Sequence, residues 1–169
     1  MLDQQVDRFL DQRGYGAEGG TLTLAGPVTP GAPGEVEIEH LPTPEWLEAS
    51  NRANGRDEAQ SAVFCGVLEQ IDAPAAFAAI RRDGQLASTA YAAVQDGWLA
   101  LMAVCTDADW RGLGLAAETV KALMAWGAGQ GAHAIGLQVT EDNASARALY
   151  RRLGLDRELY RYHYRRQPA

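Results

Sequence analysis

The segment that restricts the fold most is the run "AAFAAIRRDGQLASTAYAAVQDGWLALMAVCT", which extends from Ala75 to Thr106. Apolar residues recur at alternate positions in three stretches, as expected of half-buried β-strands. An Asp-Gly pair separates each stretch from the next, and Asp-Gly between alternating runs is a strong signal for a tight hairpin. The sequence therefore predicts a three-stranded antiparallel meander in the middle of the chain.

The part before this meander carries helical and strand patterns. Residues 2–13 repeat apolar side chains at helical spacing, and "TLTLA" at 21–25 and "VEIEH" at 36–40 alternate like short strands. Thr43 directly before Pro44 predicts a helix start, because threonine caps free amides and proline suits the first turn. The stretch "DEAQSAVFCGVLEQI" predicts another short helix.

The part after the meander predicts a helix, a strand, a second helix and a closing strand. The long helix is expected from about Leu113 to Gln130, with Gly131 as its C-terminal cap. "AIGLQVT" predicts a buried strand, Asn143 a helix cap, and "ELYRYHYRR" the last strand. The expected fold class is mixed α/β: an antiparallel meander, a crossover helix, a parallel strand, a helix and a closing strand.

The segment "GPVTPGAPGE" is typical of a linker, because it contains three prolines and three glycines. We therefore expect residues 1–34 to be a helix–strand appendage with a linker, and residues 35–169 to be the main domain. The appendage is similar to the end of the main domain, since "RFLDQRGYGAEGGTLTLA" and "ALYRRLGLDRELYRYHY" both pass from a helix end through glycine to a strand. Two explanations stay open: the remnant of a preceding unit of the same kind, or chance.

Composition excludes several classes of protein. With 47% hydrophobic and 22% charged residues over 169 positions, the chain can bury a core and is not expected to be disordered. No apolar run has membrane-spanning length, and the start "MLDQQVDRFL" is too polar for a signal peptide. Cys65 and Cys105 lack metal-ligand spacing, so we expect free thiols and no metal site. Because the sequence shows neither an export signal nor a membrane-spanning run, we expect a cytoplasmic protein that binds no membrane.

The formal net charge is −7, but its distribution is uneven. Seven arginines lie between Arg147 and Arg166 against two acids, so the rest of the chain is strongly acidic. An acidic body is a poor partner for nucleic acid, and none is expected. The arginines suit either a phosphate group or a solvated surface.

The stretch "DWRGLGLAAE", residues 109–118, is the clearest candidate for a binding site. It joins a predicted strand to a predicted helix start, where backbone N–H groups lack partners and the helix dipole is positive. Glycines let the backbone approach a phosphate closely, and Arg111 adds positive charge. The alternative is a tight turn without a ligand.

A dinucleotide site is a second ligand hypothesis, because "GLGLAA" matches G-x-G-x-x-A and Glu141 and Asp142 follow it. Two features argue against it. "DADWR" separates the strand from the first glycine, and fewer than thirty residues follow Asp142, too few for further strand–helix units. A nicotinamide-dependent oxidoreductase is therefore the weakest alternative.

Two motifs resemble those of the GNAT superfamily of acyl-CoA-dependent N-acyltransferases. The family's pyrophosphate loop, Q/R-x-x-G-x-G/A, is matched by "RGLGLA", residues 111–116. Its second signature, an Asn followed by a helix ending in Tyr-x-x-x-Gly-Phe, is matched by "NASARALYRRLGL", with Leu155 in place of the aromatic residue. The resemblance covers about residues 36–166 and implies a GNAT-like fold with acetyl-CoA as co-substrate.

The resemblance also implies roles for individual residues. The strand end "VCT" would pair with the pantetheine arm, the loop amides would hold the pyrophosphate, and Asn143 would contact the cofactor near its pantetheine end. The implied cofactor-binding residues are Val104, Cys105, Thr106, Arg111, Gly112, Leu113, Gly114, Leu115, Ala116, Ala117 and Asn143.

Tyr150 is the implied catalytic residue, because many members have a tyrosine there that protonates the leaving thiolate. An ordinary phenol pKa near 10 permits that role, and the alternative is a packing tyrosine. The general base is unassigned, since Gln138 stands where some relatives have a glutamate. Weak candidates for that base are Glu141, Asp142, Glu69, His40 and His133, and a water chain is an equal alternative.

The sequence therefore predicts an acetyl-CoA-dependent N-acetyltransferase that transfers an acetyl group directly to a primary amine on a small molecule or peptide. A non-catalytic acyl-CoA sensor on the same fold is the alternative, because no carboxylate stands at position 138. The acidic body favours a cationic amine through long-range steering. The acceptor and the oligomeric state, a homodimer among the options, stay open.

Overall fold

The chain forms a seven-stranded mixed sheet with helices on both faces, in a computed structural model that describes residues 2–29, 31 and 34–168. The helices are α1 (Leu2–Asp11), α2 (Pro44–Asn54), α3 (Glu58–Glu69), α4 (Leu115–Gly129) and α5 (Ala144–Arg152). The strands are β1 (Gly16–Pro27), β2 (Glu37–Glu39), β3 (Ala75–Arg82), β4 (Gln85–Gln95), β5 (Trp98–Thr106), β6 (Ala134–Thr140) and β7 (Arg157–Arg166). A 3₁₀ turn at Ala108–Trp110 precedes α4.

The predicted meander is confirmed, with β3, β4 and β5 paired antiparallel in sequence order. Both hairpins close through Asp-Gly pairs in the left-handed region, with φ of +48° and +80° at Asp83 and Gly84 and of +50° and +76° at Asp96 and Gly97. This backbone twist matches the right-handed twist of the flanking strands. The hairpins therefore follow from local sequence.

The predicted helix starts are also confirmed. The Thr43 side chain accepts a hydrogen bond from the Trp46 amide (3.1 Å), and the Asn143 side chain accepts one from the Ala146 amide (3.0 Å). Each bond satisfies one of the amides that a helix start leaves without a partner. None of the described helices combines the length and apolar character needed to cross a bilayer.

The position of β1 is the feature that local patterns did not predict. The sheet order is β2-β3-β4-β5-β6-β1-β7, so β1 lies between the last two strands of the chain. It pairs antiparallel with β6 from Thr21 to Pro27 and with β7 from Gly16 to Ala25. The predicted run at 21–25 is thus the centre of a twelve-residue interior strand.

The two faces of the sheet carry different cores. On one face α4 contributes Val120, Leu123 and Met124, which pack with inward side chains of β1, β5 and β6. On the other face Trp46 of α2 packs edge-on against Phe77, with ring centroids 5.1 Å apart. The expected crossover is present, because β5 and β6 are parallel and α4 connects them.

Gly26 tests the position of β1, because a Cβ atom there would collide with the carbonyl oxygen of Gly154 and lie 2.8 Å from Leu155 Cδ2. We expect Gly26→Ala to lower the free energy of unfolding by about 1–3 kcal/mol, the usual cost of overpacking. Gly16→Ala is the matched control, since a Cβ at Gly16 of the same strand meets nothing within 4 Å. Urea unfolding measures both, and equal effects of the two substitutions would contradict the packing described for β1.

Candidate functional site

The site begins where two parallel strands stop pairing. β5 and β6 are in register from Trp98 and Ala134 to Leu101 and Leu137, and pairing ends there although both strands continue. The split therefore leaves one edge of the β5 end without a neighbouring strand among the described strands. Free backbone donors and acceptors on such an edge can pair with an extended ligand.

A bulge in β5 lies just beyond the point of separation. The β4–β5 register shifts by one residue between the pairs Tyr91–Met102 and Thr89–Cys105, and Ala103 has a φ of +51°. A non-glycine residue in the left-handed region costs about 1–3 kcal/mol and persists only where surrounding structure enforces it. The strain lies next to Val104, the first residue of the predicted cofactor-binding strand end.

Side-chain hydroxyls fix the end of β5. Ser88 of β4 donates to the carbonyl oxygen of Cys105 (3.0 Å), and the hydroxyls of Thr106 and Thr119 lie 3.3 and 3.0 Å from Ser88 Oγ. Arg111 Nε donates to the carbonyl oxygen of Thr106 (3.2 Å). These bonds connect the strand end to the glycine loop and to α4, so the "VCT" segment has a defined position.

The glycine loop presents backbone amides to open space. Gly112 and Gly114 have φ of +79° and +82°, and a Cβ atom on either would meet nothing within 4 Å. No side chain caps α4, whose N-cap is Gly114. Within the described part of the chain, the amides of residues 112–116 have no backbone acceptor, whereas the Ala117 amide donates to the Gly114 carbonyl (2.9 Å).

A cavity of about 660 Å³ joins the strand end, the glycine loop and α5. Its lining includes every predicted cofactor-binding residue except Leu113, whose side chain is exposed. Sequence reasoning missed Ala53 and Asn54, which reach the cavity from the C-terminal end of α2. No local motif indicated them, because α2 meets the site only through tertiary packing. The dimensions and free amides fit an extended ligand with a phosphorylated end.

A second cavity of about 820 Å³ lies at the same split and is lined by β5, β6 and parts of β1 and β7. Val104, Asn143, Ala146 and Tyr150 line both cavities. The two cavities therefore meet at these residues.

Tyr150 is 6% exposed at this junction. Burial raises the pKa of its phenol to about 12, because the charged phenolate is poorly solvated there. The ordinary phenol pKa near 10 therefore does not apply to Tyr150. The phenol is protonated throughout the physiological range.

No carboxylate or imidazole lines either cavity among the described residues, so none of the candidate bases Glu69, His40, His133, Glu141 and Asp142 is at the junction. Gln138 does line the second cavity, and its side-chain oxygen accepts a hydrogen bond from the Tyr162 hydroxyl (3.2 Å). In the part of the chain that the structure describes, no group of three or more His, Cys, Asp or Glu side chains is arranged to hold a metal ion.

Three of the seven arginines at the arginine-rich end of the chain form ion pairs. Arg165 contacts Asp7 of α1 at 2.7 Å, Arg166 contacts Glu18 at 2.8 Å, and Arg161 contacts Glu158. Arg152 and Arg111 instead line the cavity at the glycine loop. Of the arginines between residues 147 and 166, Arg152 is therefore the one in this cavity lining, and a phosphate contact for it stays a prediction.

Solved structures with the same fold are known. A GCN5-related N-acetyltransferase from Sphaerobacter thermophilus superposes with a TM-score of 0.73 at 21% identity, over 98% of this chain and 57% of that protein. The ribosomal-protein-S18-alanine N-acetyltransferase from Escherichia coli gives 0.58 at 24% identity, over 70% and 76%. The aminoglycoside N-acetyltransferase AAC(6')-Iy in complex with CoA gives 0.60 at 18% identity, over 79% and 95%.

This chain therefore spans little more than half the length of the Sphaerobacter protein. No curated protein matches the sequence. The sequence profile described as the acetyltransferase (GNAT) family matches residues 36–155, which include the split, the glycine loop and α5. Since this match covers well over half of the sequence, the chain belongs to the acetyltransferase (GNAT) family.

Proposed function

We propose that the chain is an acetyl-CoA-dependent N-acetyltransferase that transfers an acetyl group directly to a primary amine. The observation that carries this proposal is the meeting of two cavities at the β5–β6 split, with Val104 and Tyr150 in the lining of both. One cavity ends at free amides that suit a phosphorylated ligand, and the other is open to a second substrate. A direct transfer needs both substrates in contact at one point.

The cofactor-binding assignments are part of this proposal. The free amides of residues 112–116 would hold the pyrophosphate together with Arg111, since a helix start with an uncapped glycine favours anions. The unpaired edge of β5 at Val104–Thr106 would accept the pantetheine arm. Asn143, which caps α5 and lines both cavities, would lie near the thioester end.

The transfer exchanges one bond for another. The amine nitrogen forms a bond to the acetyl carbonyl carbon, the carbon–sulfur bond breaks, and one amine proton ends on the thiol. No metal or redox partner is required for this balance. Tyr150 would stabilise the departing sulfur as a hydrogen-bond donor. Complete proton transfer from a phenol of pKa about 12 to a thiolate, whose acid has a pKa of about 8.5, is uphill.

A non-catalytic acyl-CoA sensor is the second candidate. The observation that favours it is the lining of the two cavities, which contains no carboxylate or imidazole among the described residues. We do not propose nicotinamide chemistry, because β5 and β6 form the one parallel pair among the described strands and a doubly wound fold needs several. A cytoplasmic location, a lack of nucleic-acid and membrane partners, and a homodimer remain proposals.

Calorimetry with acetyl-CoA and with NADH, followed by measurement of thiol release from acetyl-CoA over a panel of amines, tests these alternatives. Amine-dependent thiol release supports the enzyme. Tight acetyl-CoA binding without release for any amine supports the sensor. Binding of NADH without binding of acetyl-CoA would contradict both.

Gly114→Ala is expected to weaken acetyl-CoA binding by about 10-fold or more, because a side chain at φ +82° displaces the amides that would hold the pyrophosphate. A Cβ there meets no atom within 4 Å, so the loss of stability should stay near the 1–2 kcal/mol of left-handed strain. Gly129→Ala at the other end of α4 is the control. If calorimetry gives the two variants equal affinities for acetyl-CoA, the glycine loop does not bind the cofactor.

Tyr150→Phe is expected to lower kcat by about 10- to 100-fold with little change in acetyl-CoA affinity. This is the scale of losing one hydrogen bond to a charged group, about 1.5–3 kcal/mol. Because the phenol is protonated below pH 10, the variant should differ from the parent by a constant factor between pH 6 and 9. A kcat within twofold of the parent on the best amine would show that Tyr150 only packs.

Alkaline unfolding provides an independent check on the burial of Tyr150. The folded-state pKa of about 12 exceeds the unfolded value near 10, so this contribution to stability is complete below pH 10 and is lost as the pH rises towards 12. The parent should lose about 2–3 kcal/mol more than Tyr150→Phe over that range. Parallel pH dependences of the two proteins in urea unfolding would place the phenol in solvent.

A further inference from the structure

The second cavity, on the amine side of the split, has a lining without formal charge. Its described lining residues include no Asp, Glu, Lys, Arg or His, and its titratable groups are the phenols of Tyr150 and Tyr160. The acidic residues of the body therefore do not reach the place where an amine would react. A polycation would have to leave water here without a counter-charge, which is costly.

The wall of this cavity is apolar and aromatic at its outer part. Trp98 and Met102 come from β5, and Leu159 and Tyr160 come from β7. Trp98, Leu159 and Tyr160 are each more than a third exposed, so their surfaces are available to a ligand. Aromatic faces of this kind bind apolar or aromatic groups in preference to water.

Three polar side chains from neighbouring strands share one face of the sheet in this cavity. Thr23 of β1 is the direct cross-strand neighbour of Gln138 in β6 and of Tyr160 in β7. The Thr23 hydroxyl is buried and has no hydrogen-bond partner. An unpaired buried hydroxyl costs stability, and a hydrogen bond to a bound ligand is one way in which that cost is recovered.

The absence of a carboxylate or imidazole in the described lining also restricts the amine itself. Only a neutral amine can attack, and Gln138 cannot accept its proton near neutrality. At pH 7 an α-amine with a pKa of about 8 is neutral in roughly one molecule in ten. A lysine-type amine with a pKa of about 10.4 is neutral in roughly one in 2,500. The lining thus favours weakly basic amines.

We propose that the acceptor of this site is a weakly basic primary amine, an α-amine or an arylamine, on an aromatic or apolar body without a second charge, and that Thr23 and Tyr160 select it. This inference rests on the proposed function, because it assigns the second cavity to the amine substrate. It replaces the steering argument for a cationic amine, since the surface charge does not extend into the lining. Thr23 and Tyr160 both lie outside residues 36–155, the part that matches the family profile.

The substrate test compares matched amines by thiol release from acetyl-CoA at pH 7. Phenylalaninamide should exceed glycinamide in kcat/KM by at least about 10-fold, because the two share an α-amine and differ in the ring. It should exceed Nα-acetyllysine methylamide by a similar factor, because that compound offers only a strongly basic amine. Thiol release with toluidine shows whether the site accepts an arylamine as well as an α-amine. A preference for spermidine, or equal rates with glycinamide and phenylalaninamide, would overturn the proposal.

Tyr160→Ala should remove most of the preference for phenylalaninamide over glycinamide. Tyr164→Ala is the matched control, since Tyr164 lies on the same strand with 60% exposure and does not line the cavity. An unchanged preference in Tyr160→Ala, or an equal loss in both variants, would overturn the role of Tyr160.

Thr23→Val should raise the KM for phenylalaninamide about 5- to 20-fold with little change in kcat, and should raise the Tm by about 2–4 °C because an unpaired buried hydroxyl is removed. A purely structural threonine would leave KM unchanged, and that result would remove Thr23 from the proposal.

Gln138→Glu keeps an acceptor for Tyr162 and adds a base. It should raise kcat/KM for Nα-acetyllysine methylamide relative to phenylalaninamide by about 10-fold, and an unchanged ratio would contradict the argument from amine basicity.

Failure of the inference and failure of the proposed function give different results. If other amines release thiol but the aromatic, weakly basic ones do not, the enzyme assignment stands and the inference is wrong. If no amine releases thiol, the enzyme assignment is wrong. Calorimetry of phenylalaninamide with the acetyl-CoA complex then tests whether the second cavity binds an aromatic amine. Binding that Tyr160→Ala abolishes supports this assignment of the cavity, and an absence of binding overturns it.

Discussion

The structure depends on a single interruption in backbone pairing, the end of the β5–β6 ladder at Leu101 and Leu137. Two parallel strands that stay paired leave no room for a ligand between them, whereas strands that separate expose one edge each. The bulge at Ala103 and the hydroxyl bonds around Ser88 hold β5 in its separated course. The glycine loop and α4 follow directly from that strand end, so the free amides of the loop lie beside the split.

Beyond Leu137, β6 has no backbone pairing with β5, and its pairing on the other side supports it there. β6 is held on its other side by β1 along its whole length, from Thr140 to Ala134. β1 is in turn covered by β7, so the separated half of the sheet is a three-stranded antiparallel unit of its own. The strand that pairs with β6 on this side therefore comes from residues 16–27, which include the first two residues of the predicted linker. Its origin as the remnant of a preceding unit, and a domain boundary at residue 35, stay predictions.

Local physical rules were sufficient for most of this architecture. The Asp-Gly turns at Asp83 and Asp96, the cap at Asn143 and the glycine loop each depend on neighbouring residues, and each was predictable. The position of β1 was not, because antiparallel pairing with residues more than 100 positions away leaves no local pattern. The pKa of Tyr150 was missed for a related reason: burial is a property of the packed structure, so the side chain alone cannot indicate it.

The order of the strands also has a consequence for folding. The meander can form from contacts between neighbours in the chain, but β1 precedes its partners β6 and β7 by more than 100 residues. During synthesis β1 is made before β6 and β7 and can pair only after these strands have emerged. An unpaired strand with the run "TLTLA" is an aggregation hazard in that interval. Glu18 and Pro27 lie on either side of this run within β1, and a charge and a proline are residues that hinder aggregation of an unpaired strand.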